Sequence, residues 1–224
     1  MGSQAKLFEQ ICQQRKSLRA FREETVSAED LQAVLRASMT SPSNCNTQPW
    51  VVHIVSGDKL EVLRQAMPDE FMQGKMSMDF PYDGSYEGIY KERQYGAAKA
   101  LYDSVGITRQ DKALRQETFM RNFSFFGAPH VAFLFLPEPF GLREAADVGM
   151  FAQTFMLSLT AHGLGSCPQT SLSFQADLVR EQLNIPAENK LLFGISFGYP
   201  EVEAPINACD TDRAAIGDLV TFHQ

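Results

Sequence analysis

Arg15-Lys16-Ser17-Leu18-Arg19-Ala20-Phe21 places three cations and a hydroxyl within five residues, directly after an apolar run. Leu7, Phe8, Ile11 and Cys12 recur at helical spacing, so the pattern predicts a helix over residues 4–14. Cations at the C-terminal end of that helix would suit its macrodipole and face water. The alternation supports a second reading. In an extended chain Arg15, Ser17 and Arg19 point to one side, and Lys16, Leu18 and Ala20 to the other. Two guanidinium forks flanking a hydroxyl suit a phosphate or an electron-rich ring edge. The stretch reads as an anion clamp.

The surrounding composition sharpens that reading. The chain has 224 residues, 44 % apolar and 21 % charged, enough for one domain (1–224) with a sizeable core. Its net charge of -7 argues against a general nucleic-acid or anionic-membrane partner, so a local cationic cluster stands out. Cys12, Cys45, Cys167 and Cys209 are scattered and form no Cys-x-x-Cys, which gives no zinc or dithiol signature. A reducing cytoplasm is the simpler setting for them. The polar start, Met1 to Lys6, shows no apolar signal core, and no apolar run reaches membrane-spanning length.

Outward from the clamp, Ser27-x-x-Asp30 opens a second helix reaching about Ala37. Ten small, polar and turn-forming residues follow, Thr40 to Pro49, and lead into Trp50-Val51-Val52-His53-Ile54-Val55, read as a central strand. A short helix covers about 59–66. Residues 67–89 mix Met67, Phe71, Met72, Met76, Met78, Phe80, Tyr82 and Tyr86 with Pro, Gly and Asp, without a clean period. That insertion reads either as a lid or adaptable acceptor wall, or as a satellite cluster packed under a loop. Helices are predicted over 86–104, 109–122, 142–161 and 174–183, and strands over 129–136 and 190–198, with a strand-to-loop passage at 165–171. From Tyr199 the chain reads as an irregular tail. The expected architecture is α+β, a mixed central β-sheet flanked by helices.

Hydrolytic and metal chemistry find no support. There is no Gly-x-Ser-x-Gly, no His-Glu-x-x-His, no P-loop and no Gly-x-Gly-x-x-Gly. His53, His130, His162 and His223 are not spaced as metal ligands, and the first three fall in structural positions. Catalytic protein residues: none; metal: none. Anion-binding and amide-rich loops without an acid, base or nucleophile point to a bound cofactor that does the chemistry. Asn46 and Gln48, two amides one strand-step apart between Pro42 and Pro49, suit an imide or pyrimidine edge.

The clamp resembles the Arg-x-Ser-x-Arg-x-Phe opening of the FMN-dependent nitroreductase family. Ser41-Pro42-Ser43-Asn44-Cys45-Asn46-Thr47-Gln48-Pro49-Trp50 resembles that family's Ser-Pro-Ser-x-x-Asn-x-Gln-Pro-Trp signature. Gly163-Leu164-Gly165-Ser166-Cys167-Pro168-Gln169 is similar to its later loop, and Gly194-Ile195-Ser196-Phe197-Gly198-Tyr199-Pro200 to its last core strand. Four motifs in register span nearly the whole chain, and Lys91 to Pro129 looks closest to the nitrobenzoate-reductase-like branch.

The resemblance implies a homodimer with an extended C-terminal tail, one FMN in each of two interface sites, and NADH or NADPH as electron donor. Arg15, Ser17 and Arg19 would hold the phosphate, ribityl chain and N1–O2 edge of FMN, helped by the Lys16 backbone, and Arg213 would return from the tail to the phosphate. Pro42, Ser43, Asn44 and Asn46 would come from the partner subunit, with Gln48 nearby. Pro168, Gln169, Thr170 and Ser171 would present backbone groups near N5. Many relatives have an acidic residue where this chain has Thr170, and an Asn and a Lys where it has Arg121, Asn122 and Ser124; those roles are not carried over. The implied activity is ping-pong hydride transfer through flavin N5 to small electron-poor acceptors, nitroaromatic or quinone-type. Reductive dehalogenation or other flavin chemistry on the same scaffold, and flavin binding without turnover, remain open alternatives.

Overall fold

The computed structural model describes residues 2–224. The first helix, α1 (Ser3–Gln14), forms where the spacing predicts it, yet buries no side chain, and Leu7 and Phe8 stand 58 % and 60 % exposed. Ser27 starts α2 (Ala28–Ser38) as its motif predicts. Its Oγ accepts from the Asp30 N–H at 3.0 Å and donates to the Asp30 carboxylate at 2.7 Å. One orphan donor of the first turn is thereby satisfied.

The sheet consists of β1 (Val51–Ser56), β2 (His130–Pro137), β3 (Gly165–Gln169) and β4 (Asn189–Gly198), in the order β1-β2-β4-β3. Every neighbouring pair is antiparallel. Among the described residues the parallel pairing is the isolated Ser17–Ser166 bridge, so the sheet is mixed at that rim alone. The Trp50–Val55 run, expected as a central strand, instead supplies an edge strand, and β2 and β4 hold the centre. A β-branched run reports which faces are covered and carries no information on lateral place in the sheet.

β2 separates two cores by simple alternation. Val131, Phe133 and Phe135 pack with Leu60, Leu63 and Met67 of α3 (Gly57–Met72) and with Leu178 and Val179 of α7 (Ala176–Leu183). Ala132, Leu134 and Leu136 face the other way, against Val34 of α2, Trp50, and Phe151, Phe155 and Leu159 of α6 (Leu142–Ala161). Two exposed helices, α4 (Gly88–Ser104) and α5 (Lys112–Met120), and a terminal turn, α8 (Ile216–Leu219), bury nothing. The fold is α+β, with helices on both faces of one antiparallel sheet.

Residues 67–89 divide in two. The helix expected over 59–66 continues through Pro68 to Met72. Pro removes one helical donor, but Met67 is fully buried and Phe71 stacks on Phe123 with centroids 4.4 Å apart, which holds the extra turn. Beyond it the chain is looped and pinned at Asp79. That carboxylate receives the Arg180 guanidinium at 2.5 Å and the Leu191 N–H at 2.7 Å, and Tyr82 stacks on Phe174. Burial and the neighbouring Tyr86 hydroxyl push the Tyr82 phenol upward. No helix among the described residues is long and apolar enough to cross a membrane.

Candidate flavin site

The clamp leaves α1 in extended conformation and lies along the sheet rim. The Leu18 N–H donates to the Ser166 carbonyl at 3.0 Å, and the Arg22 N–H to the Tyr199 carbonyl at 2.9 Å. Gly165 permits this approach, because a Cβ there would stand 2.7 Å from Leu18 Cδ1 and 3.3 Å from Phe21 Cε1. The tail is stapled beside the clamp by Asn207. Its Oδ1 accepts from the N–H groups of Arg19 (2.7 Å) and Ala20 (3.2 Å), and its Nδ2 donates to the Ala20 and Glu201 carbonyls at 2.8 Å.

These contacts open a cleft of about 480 Å³ into which Arg15, Lys16, Ser17, Arg19 and Arg213 all face. Two carboxylates, Glu9 and Asp210, share its wall, so four cations meet two anions and the cleft carries an excess of two positive charges. Lys16 and Asp210 pair at 3.6 Å in an exposed position, where such a pair is worth little. Arg15, Arg19 and Arg213 make no ion pair among the described residues. Arg19 is held by a bond to the Ser17 carbonyl at 3.0 Å, and Arg213 by the Thr211 and Asp212 carbonyls at 2.8 and 3.0 Å. Concave space, preformed donors and uncompensated charge are what a phosphate monoester needs.

β3 and the turn that follows it adjoin the clamp, to which Ser166 is bonded through the Leu18 N–H, and Arg19 and Arg15 act on the neighbouring Cys167. Burial nevertheless pushes the Cys167 thiol up to about 11, so it is neither a thiolate nor a nucleophile near neutrality. Pro168 and Thr170 are exposed, whereas Gln169 is buried and turned inward. Gln169 Nε2 donates to the Asn122 carbonyl at 3.0 Å and to Asn122 Oδ1 at 3.2 Å, and its Oε1 accepts from Ser196 Oγ. The Ser171 hydroxyl is buried without a partner. Leaving such a group dry is costly, and a ligand edge at this loop would satisfy it.

The amide loop is placed elsewhere. Pro42, Ser43, Asn44, Asn46 and Gln48 do not line the cleft of their own chain. The Asn44 N–H donates to the buried Asp147 carboxylate on α6 at 3.0 Å, and the Ser43 Oγ accepts from the Gln48 N–H at 2.9 Å. Cys45, Asn46 and Gln48 hold φ of 50°, 56° and 48°, a left-handed conformation that side chains rarely adopt. Strain of this kind collects where a backbone is shaped for a ligand. The exposed Asn44, Asn46 and Gln48 side chains are thereby presented outward.

Sequence reading missed the residues that assemble the cleft. Asn207 sits in an irregular tail and carries no motif. Gln153 reaches the cleft from α6, and Arg121 donates to the Arg19 carbonyl at 3.1 Å. Arg121 and Asn122, to which no role was carried over, brace the clamp and Gln169 respectively.

Comparison with known proteins places this geometry. Residues 12–199 match the nitroreductase family. The chain belongs to the nitroreductase family. It is 41 % identical over 219 residues to the nitroreductase NfnB of Mycolicibacterium smegmatis, covering 97 % of this chain and 93 % of that protein. It is 31 % identical to the 4-nitrobenzoate reductase of a Nocardioides species, covering 96 % of this chain and 89 % of that one. The crystal structure of the FMN-dependent NfnB from Mycobacterium smegmatis in complex with NADPH superposes with a TM-score of 0.95 at 40 % identity, covering 99 % of this chain and all of that one. The family match takes in the clamp, the amide loop and the β3 loop, and the cleft, the three free guanidinium groups and the open Ser171 hydroxyl fit the FMN that NfnB binds.

Proposed function

We propose that this chain is an FMN-dependent NAD(P)H oxidoreductase that reduces nitroaromatic or quinone-type acceptors, acting as a homodimer in the cytoplasm. The single observation that carries the reading is the cleft with an excess of two positive charges, three of its four cations coming from one short stretch and the fourth from the tail, in a chain whose net charge is -7. Bound FMN supplies hydride acceptance from a nicotinamide and hydride delivery to the acceptor, which implies one site used in turn by both partners.

The chain's own residues then have simple tasks. Arg15, Ser17, Arg19 and Arg213 hold the phosphate and place positive charge beside the ring edge where electrons accumulate, with the Lys16 backbone assisting. Pro168, Gln169, Thr170 and Ser171 present backbone groups and one free hydroxyl to the ring. No side chain here has to act as nucleophile, in keeping with a Cys167 thiol kept protonated by burial.

A second copy completes the site in this reading. Pro42, Ser43, Asn44, Asn46 and Gln48 face away from their own cleft and are free to line another. Leu7 and Phe8 on α1, and Ile216, Leu219 and Phe222 in the tail, are all at least 58 % exposed. Apolar exposure on elements that bury nothing supports a partner of the same kind. Residues 67–89, pinned at Asp79 and carrying exposed Tyr82 and Tyr86, serve as the acceptor wall of a single domain.

The test is spectroscopic. Purified protein is expected to be yellow with about one flavin per chain, to bleach on anaerobic addition of NADPH or NADH, and to recolour with a nitroaromatic. Colourless protein that does not take up FMN would overturn the reading. Flavin that is never bleached would reduce the chain to a flavin-binding protein, and halide release from halogenated acceptors would move it to dehalogenation.

A further inference from the structure

Residues 73–87 join α3 to α4 without regular structure, yet they are fastened along their length to one short stretch, residues 174–180. The Ser77 N–H donates to the Phe174 carbonyl at 2.8 Å, and the Ser77 Oγ accepts from the Asp177 N–H at 2.9 Å. Asp79 receives the Arg180 guanidinium, and Tyr82 stacks on Phe174. Near the end of α3, the Met67 carbonyl accepts from Gln175 Nε2 at 3.0 Å. Phe174 directly follows the turn Thr170–Ser173, which continues the loop proposed to face the flavin ring. We propose that the Asp79–Arg180 pair holds residues 73–87 as a fixed wall beside that loop, and that the wall selects neutral aromatic acceptors over carboxylated ones. The inference deepens the acceptor reduction proposed for this chain and rests on it.

The pair has the character of a positioning device. The Asp79 and Arg180 side chains are 8 % and 10 % exposed. Two ions that give up this much water gain little net stability over an apolar pair of the same size. They do define one place for the chain that carries them. Both are fully engaged there. Asp79 also accepts from the Leu191 N–H at 2.7 Å, and Arg180 also donates to the Asn189 carbonyl at 3.2 Å and to Asp177 at 2.6 Å. Loops with few buried contacts open readily, and these anchors oppose that opening.

The chemistry of the wall sets what it prefers. Met76, Phe80, Tyr82 and Tyr86 are exposed on it. Its single cation, Lys75, pairs with Glu70 at 3.7 Å, and Asp79, Asp83 and Glu87 make the segment acidic. Polarisable methionines and flat aromatic side chains suit an aromatic ring. A carboxylate brought against them loses water and finds no unpaired cation on the segment. Arg180 cannot serve it, being committed to Asp79 and Asp177.

The experiment compares kcat/KM of the flavin-loaded protein for methyl 4-nitrobenzoate and 4-nitrobenzoate, two acceptors of similar size that differ in charge. Tryptic cleavage after Lys75 is followed on the same samples. The neutral ester is expected to be favoured by at least about tenfold, because an unpaired carboxylate is costly to bring against an apolar wall. Asp79→Asn, Arg180→Met and Ser77→Ala are each expected to speed cleavage after Lys75 and to lower that preference, by roughly threefold or more for the two ion-pair variants and less for Ser77→Ala. Ser77→Ala leaves the ion pair in place and carries the test if an ion-pair variant does not fold. Asp79→Asn and Arg180→Met change the local charge in opposite senses, so a shift in the same direction reports the placement of the wall. Shifts in opposite directions would assign the effect to charge and overturn the proposal. It is also overturned by a wild-type protein that does not favour the ester, by cleavage that no variant speeds, or by a preference that holds while cleavage accelerates. Flavin content keeps the two readings apart. Protein without flavin sinks the redox function and this selection with it, whereas flavin-loaded, active protein with an unchanged preference sinks this inference alone.

Discussion

β2 and α1 follow opposite rules within one chain. Seven of the eight residues of β2 are buried, on two faces at once, whereas none of the twelve residues of α1 is. The strand lies at the centre of a core the chain completes by itself. The helix carries apolar residues that the chain leaves uncovered, and its C-terminal end hands directly into the cationic clamp. The proposed flavin site thus sits on the seam between the finished and the unfinished parts of the molecule. An interior substitution should cost stability, and a seam substitution should cost ligand or assembly.

The most severe break of the interior is Phe133→Ala. Phe133 is fully buried and packs against Phe125 at a centroid distance of 6.3 Å. Loss of about 3–5 kcal/mol is expected in urea unfolding. A cost below about 1 kcal/mol would mean that this core is less closed than the contrast with α1 requires.

Asn207→Ala tests the seam. The substitution removes three hydrogen bonds between the tail and the clamp, at half-exposed positions, and an exposed fourth within the tail, so water can replace part of them. Stability should fall by about 1–2 kcal/mol. FMN affinity should fall further in proportion, because Arg213 loses its placement. Unchanged FMN affinity would separate the tail from the site.

The smallest effect is a pH dependence of the interior. His130 is 5 % exposed, its Nε2 accepts from the Val26 N–H at 2.9 Å, and its Nδ1 has no partner. Burial lowers its pKa from the ordinary 6.5, so the folded state favours the neutral ring. Stability should be complete above 6.5 and decline as pH falls below it, since the unfolded chain then binds the proton more readily. His130→Gln should flatten that slope in unfolding curves; a slope of the same size in the variant would assign it to other groups.

The same contrast explains what the sequence made legible. Helix and strand positions followed from periodicity and apolar runs, and the continuous apolar run of β2 marked a buried strand, while the two separate cores it divides appeared only in the fold. The Ser27-x-x-Asp30 cap was equally local. Lateral strand order was not legible, since β1 and β2 carry similar apolar runs and differ in what lies beside them. The extra turn of α3 was hidden by Pro68, whose usual meaning is overridden by Phe71 on Phe123. Within the cleft, Arg15, Lys16, Ser17 and Arg19 were legible as a local cationic cluster in an acidic chain, whereas Arg213 entered only through the family resemblance and the fold brings it to the same cleft. Asn207, Arg121 and Gln153 were not, because residues that only hold others in place need no particular neighbours in sequence.

The account stands or falls on the flavin content of Arg15→Ala. Arg15 faces the cleft without an ion pair and buries nothing in either core, so its removal should leave the fold intact by far-UV circular dichroism while the purified protein loses its FMN. A variant that keeps about one flavin per chain would contradict the assignment of the clamp to the cofactor's phosphate.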